Sequence, residues 1–85
     1  PRFREVFDYF RAIVKSGEIS QRALDLTEEA ARANPANYTV WQHRRHVLNH
    51  LTNVDWSSEF RLSRLFLEDS PKNYQVWYHR RFLVE

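Results

Sequence analysis

Apolar positions in this chain recur every three to four residues along its whole length. Phe3, Val6, Phe7, Phe10, Ile13 and Val14 follow the i, i+3, i+4, i+7 spacing of one helix face. That helix should close near Ser16-Gly17, because glycine is favoured just past a helix C-terminus. Ser20 can cap a second helix running to about Asn34, with a face of small residues: Ala23, Leu24, Leu26, Thr27, Ala30 and Ala31. Pro35 disfavours helical geometry at the residue before it and stops this helix. Asn37 is the next N-cap, opening a helix that carries Val40, Trp41, Val47, Leu48 and Leu51. Asp55 caps a fourth, with Trp56, Phe60, Leu62, Leu65, Phe66 and Leu67 expected inward. Ser70-Pro71 repeats the stop, Asn73 repeats the cap, and a fifth helix runs on from Tyr74. No segment alternates apolar and polar as a half-buried strand would. The predicted fold class is all-α.

The third and fifth helices open alike. Asn37-Tyr38-Thr39-Val40-Trp41-Gln42-His43-Arg44-Arg45 is nearly copied by Asn73-Tyr74-Gln75-Val76-Trp77-Tyr78-His79-Arg80-Arg81, 36 residues on, and Pro35 and Pro71 keep the same offset. A fixed period of this size marks a solenoid, in which one supersecondary unit stacks on the next. The expected organisation is a single helical-repeat segment over 1–85, with antiparallel helix pairs at about 20–51 and 55–85. A helix over 2–16 precedes them as half of an earlier pair. Terminal solenoid units need a polar outer face, and Phe82-Leu83-Val84-Glu85 offers none, so a longer α-α solenoid is expected around this segment.

Composition narrows the chemistry. Eighty-five residues make one small domain, burying roughly 60–65% of the surface of the unfolded chain. Cysteine is absent, which excludes disulfides and thiolate metal sites and fits a reducing, cytoplasmic setting. The net charge of +2 is not gathered into a stripe: Asp25, Glu28 and Glu29 sit beside Arg22 and Arg32, so nucleic acid is not an expected partner. No apolar run approaches roughly 18 residues and no leader pattern is visible, so membrane insertion is not expected either. Gly17 is the single glycine, and no phosphate-cradling loop or nucleophile elbow is present. His43, His46 and His50 fall at i, i+3 and i+7, but neither a glutamate at the metalloprotease position nor a cysteine accompanies them, and no metal site is expected. Trp41 and Trp77 are expected as core anchors. Arg44, Arg45, Arg80 and Arg81 recur in register, which suits a contact made in every repeat; at least one of each pair should bond carbonyls or acids of the adjacent unit, and facing a partner chain is the alternative for some of them.

The period of 34 and the glycines of tetratricopeptide units are both missing. The doubled N-Y-x-V-W-x-H-R-R after P-x closely resembles the repeats of the protein prenyltransferase α subunits. Phe7-Asp8-Tyr9-Phe10-Arg11-Ala12, Asn37 to Trp41 and Pro71 to Trp77 are most similar to the α subunit shared by the farnesyl and type I geranylgeranyl enzymes. The Rab-specific α subunit keeps these words less well. The spacing is one residue longer than usual in the family, which suggests an extra residue in the Thr52–Trp56 turn.

The resemblance implies a right-handed α-α superhelix wrapped around a separate β subunit. That partner would hold the zinc ion, most of the isoprenoid pocket and most of the peptide site, with magnesium as a further ion for the farnesyl enzyme. The implied reaction moves a farnesyl or geranylgeranyl group from its diphosphate to the cysteine of a C-terminal C-a-a-X motif, and this chain could not run it alone. Lys72 matches the lysine that reaches the diphosphate, where negative charge grows on the leaving oxygens. Gln75 matches the glutamine that donates to the substrate's terminal carboxylate. Tyr38 matches a residue lining the pocket for the last side chain, and Tyr74 a tyrosine beside Lys72 facing the β subunit. From composition alone Lys72 is an exposed turn lysine, and both tyrosines could serve inter-repeat packing. A non-enzymatic repeat scaffold and the Rab-type α subunit stay open as alternatives.

Overall fold

Five helices account for most of the chain in a computed structural model, which describes the backbone of residues 2–85 and the side chains of residues 4–85. They are α1 (Arg2–Ser16), α2 (Gln21–Ala33), α3 (Tyr38–His50), α4 (Trp56–Asp69) and α5 (Tyr74–Val84), with no strand among the described residues. Each boundary has a local cause. Gly17, at φ +71°, closes α1 in the left-handed region that costs a glycine little. Ser20 accepts from the Ala23 amide at 3.0 Å, Asn37 from Val40 at 3.2 Å and Asp55 from Ser58 at 3.1 Å. Asn73 accepts from both Gln75 and Val76. Each cap satisfies an orphan amide, worth about 1 kcal/mol. Asn53 turns at φ 58° in the α3–α4 connection, where an asparagine tolerates the left-handed region.

Helix α2 packs on α3 and α4 on α5, through short turns that make each pair antiparallel. Helix α1 lies against α2, and α3 against α5, so the pairs stack. The Cα trace measures 31 × 28 × 17 Å, thin in one direction as two helix layers require. One core cluster gathers Phe7 and Phe10 of α1, Ala30 and Ala31 of α2, Trp41 of α3, Phe66 of α4 and Val76 of α5. A second joins Ala23, Leu24, Val47 and Leu48. The alanines of α2 let its neighbours approach closely. Phe3, counted above in the α1 stripe, lies outside the described side chains, and Val14 of that stripe is exposed.

Helix α4 departs from expectation. Its buried face is Glu59, Ser63 and Phe66, with Leu62 and Leu67 packed partly beside the core. Trp56, Phe60 and Leu65 are exposed. The cause is chemical: the inward stripe of α4 receives arginine side chains from α3 and α5, so polar residues occupy positions that an apolar pattern cannot reveal.

Candidate functional site

The repeated motif is a set of hydrogen bonds made twice. Trp41 donates from Nε1 to the Pro35 carbonyl and Trp77 to the Pro71 carbonyl, both at 2.8 Å. Arg44 Nη1 donates to Leu24 O and Thr27 Oγ1, both at 2.9 Å. Its register mate Arg80 donates to Phe60 O at 3.4 Å and Ser63 Oγ at 3.0 Å. Each arginine thus ties its helix to the first helix of its own pair.

A second set joins the pairs. Arg44 gives Nε and Nη2 to the two oxygens of Glu59, at 2.7 and 2.6 Å, a fork-to-fork ion pair in which both side chains are buried. The other face of Glu59 accepts from His79 Nε2 at 2.8 Å. His79 Nδ1 is then left as an acceptor, and Arg45 Nη1 donates to it at 3.3 Å. Burial opposes ionisation of Glu59, but the hydrogen bonds from His79 and Arg44 outweigh it and hold the carboxyl at about 2. Burial pushes His79 below its ordinary value, against the pull of Glu59 and with Arg45 and Arg44 adding to the push. Glu59 is therefore ionised and His79 neutral. Asn73 adds one more tie, from Nδ2 to the Pro35 carbonyl at 2.8 Å.

Sequence reasoning missed Glu59. Its register mate is Ala23, 36 residues earlier, so no repeat pattern flags it. The same substitution accounts for His43, the mate of His79: with alanine where α2 would offer a carboxylate, the buried Nε2 of His43 has no hydrogen-bond partner. His43 instead meets the edge of Phe10. His46 and His50 stack below it, with centroids 5.5 and 4.6 Å apart along the row. Among the described residues no three metal-capable side chains form a site.

The two tryptophans differ. Trp41 is fully buried beneath Phe66 and His79 of the second pair, at ring distances of 5.1 and 4.8 Å. Trp77, expected in the core as well, is half exposed, because no following pair covers it among the described residues. The arginines also divide. Arg44 reaches an acid of the adjacent unit as expected, whereas Arg80 bonds within its own pair and lies 4.0 Å over the Phe60 ring. Arg81 pairs on the surface with Glu85 at 3.3 Å.

Lys72 stands exposed in the turn between α4 and α5, without an ion pair among the described residues. That turn is closed by the Asn73 amide on Ser70 O at 3.1 Å and anchored by the side chain of Asn73, which is buried. Tyr74 follows on the first turn of α5, 79% exposed, and Gln75 is half-buried beside it. Tyr38 occupies the matching place on α3 and is exposed. The register mates of Lys72 and Gln75 are Ala36 and Thr39. The lysine and the glutamine are thus not needed to build a repeat. A cation, an amide and a phenol sit together at a helix N-terminus whose own partial charge is positive, a setting suited to anions.

Comparison with known proteins bears on this arrangement. The family model "Protein prenyltransferase alpha subunit repeat" matches residues 20–51 and 56–85. The chain is 56% identical over 59 residues to the protein farnesyltransferase/geranylgeranyltransferase type-1 subunit alpha of Solanum lycopersicum, covering 69% of this chain and 17% of that relative. It is 53% identical over 67 residues to the subunit of the same name from Arabidopsis thaliana, covering 79% of this chain and 20% of that one. It spans about a fifth of the length of these curated relatives. Among solved structures, the Candida albicans protein geranylgeranyltransferase-I complexed with GGPP superimposes with a TM-score of 0.90 at 29% identity, over 98% of this chain and 28% of that one. With two copies of its repeat stacked as helix pairs, the chain belongs to the protein prenyltransferase α subunit family.

Proposed function

We propose that this chain is part of the α subunit of a heterodimeric protein prenyltransferase of the farnesyl/geranylgeranyl type I class. The enzyme would transfer an isoprenoid group from its diphosphate to the cysteine of a C-terminal C-a-a-X motif. One observation carries this reading. Lys72 and Gln75 break the repeat register and are presented, with Tyr74, at the start of α5, in a chain whose relatives bear that enzyme's name.

The chemistry follows from what these groups can do. Bond breaking at the isoprenoid C1–O bond leaves growing negative charge on the diphosphate, and an ammonium held at the helix entrance stabilises it more in the transition state than in the ground state. Lys72 has that role. Gln75 donates its amide hydrogens to the carboxylate of the substrate's last residue without adding a buried charge. Tyr38 and Tyr74 offer phenol rings to the peptide and the partner surface. Zinc, which would make the substrate thiol a better nucleophile, belongs to the β subunit in this reading. A cytoplasmic location accompanies this reading; no helix among the described residues is long and apolar enough to cross a membrane.

Co-purification of the full-length protein with a β subunit, followed by competition between a C-a-a-X peptide and an escort-bound GTPase, tests the reading. Prenylation of the free peptide is the expected result. Preference for the escorted substrate would assign the chain to the Rab-type enzyme. A stable heterodimer that modifies neither would leave only a binding scaffold.

A further inference from the structure

Arg45 is a buried cation with no carboxylate partner among the described residues. It is 9% exposed against 3% for Arg44, yet Arg44 holds both oxygens of Glu59 and Arg45 holds none. Its one hydrogen bond runs to His79 Nδ1, and its guanidinium carbon lies 5.0 Å over the Tyr78 ring. Neutral His79 supplies no charge, since its Nε2 hydrogen is committed to Glu59. A guanidinium has five N–H donors in a planar fork, and one is used among the described residues. Desolvation pushes Arg45 below the usual arginine range, with Tyr78 and Tyr38 pulling the other way. Its unused donors are not sealed in, since His43 Nε2 is the buried side-chain atom left without a partner among the described residues, so they open outward to whatever binds there.

Arg45 lines an open pocket of about 340 Å³ with Tyr78, Arg81 and Phe82. Glu85 stands at its rim, paired with Arg81 and not with Arg45. The pocket lies on a doubled stripe. Tyr38, Gln42 and Arg45 follow i, i+4, i+7 on α3; Tyr74, Tyr78 and Arg81 repeat them on α5. All three tyrosines are more than half exposed, and none covers the core. Exposed tyrosine around a partly desolvated arginine is the composition of a protein–protein hot spot.

We propose that the pocket over Arg45 and Arg81 is an anchoring site that takes an aspartate or glutamate side chain of the partner subunit. The inference rests on the heterodimer reading given above and adds a specific contact to it. The Arg44–Glu59 pair shows what such an anchor looks like within this fold: the fork meets a planar carboxylate with two parallel bonds. A diphosphate suits the pocket less, because Glu85 at the rim repels a multiply charged anion more strongly than a single carboxylate.

Two variants of the full-length protein test this. Arg45→Gln keeps an N–H donor for His79 and removes the charge. Arg81→Gln removes a charge from an exposed side chain, where folding is not at stake. Heterodimer affinity is measured for each across a range of NaCl concentrations, with circular dichroism of the free subunit alongside. Each variant should bind the β subunit at least about ten-fold more weakly, with a flatter salt dependence than the parent. Should Arg45→Gln lose its helical signal, Arg81→Gln alone decides. Unchanged affinity in the folded variants overturns the inference and leaves the enzyme reading intact, whereas no heterodimer from the parent protein counts against both. Inorganic pyrophosphate is the rival probe: binding that depends on Arg45, beside unchanged partner affinity, would replace the carboxylate with a phosphate ligand.

Discussion

Lys72 and Gln75 stand out because the repeat does not require them. Ala36 and Thr39 fill the same places one period earlier, and the caps and tryptophan bonds form equally well around them. Lys72 is exposed and free of ion pairs among the described residues, Gln75 is half-buried, and neither is committed to building the scaffold. For Gln75 the expected outcome of Gln75→Leu is a rise of about ten-fold in KM for a C-a-a-X peptide with kcat little changed, the signature of lost ground-state binding. The parent's preference for a free over an amidated peptide terminus should fall in parallel, and an unchanged preference would remove Gln75 from the peptide site. The roles proposed for these residues come only from the family resemblance; composition cannot tell Lys72 from any turn lysine. Glu59 was not legible at all. Its partners Arg44 and His79 lie 15 and 20 residues away, and only folding brings them together.

At the scale of helices, stops, caps and the Pro–Asn–Trp spacing could be read directly, because each is a local effect within a few residues. The inward face of α4 could not, because the pairs are joined by a buried polar network rather than by apolar contact alone. Glu59→Gln leaves Arg44 buried without its counter-charge, and should cost about 3–5 kcal/mol by thermal or denaturant melting. Combining it with Arg44→Met should recover much of the loss; strict additivity of the two would contradict the pairing. The same network fixes a pH response. Folded His79 is depressed below its ordinary 6.5, so the unfolded chain takes up a proton first as the medium acidifies, and stability falls below about pH 6.5. His43, depressed by burial and by His46, adds to that slope. The Glu59 contribution is complete above its unfolded value near 4.5 and is lost as pH falls toward 2. Tm should therefore drop from pH 7 to pH 5, less steeply in His79→Gln. A flat Tm across that range would show that His79 is not held neutral.

The described residues form a stack whose first pair is roofed by its second. Trp41 and Trp77 make the same indole bond at the same length, yet one is sealed and the other half open. Identical motif positions should therefore carry unequal energies. Trp41→Ala should destabilise this 85-residue chain by about 3–5 kcal/mol, while Trp77→Ala should cost well under half of that. Equal losses would mean that the tryptophans act only within their own pairs. Repetition made the stack itself legible from a single sequence. Which copies are covered was not legible, since cover comes from neighbours the motif does not encode.

Single-turnover prenyl transfer by the purified heterodimer of the full-length protein, parent against Lys72→Ala, tests the central claim most directly. The parent should transfer to a C-a-a-X peptide and the variant's chemical step should be slower by about a hundred-fold, with isoprenoid diphosphate affinity changing far less. A folded heterodimer that transfers nothing would contradict the assigned function, and equal single-turnover rates would remove Lys72 from the reaction.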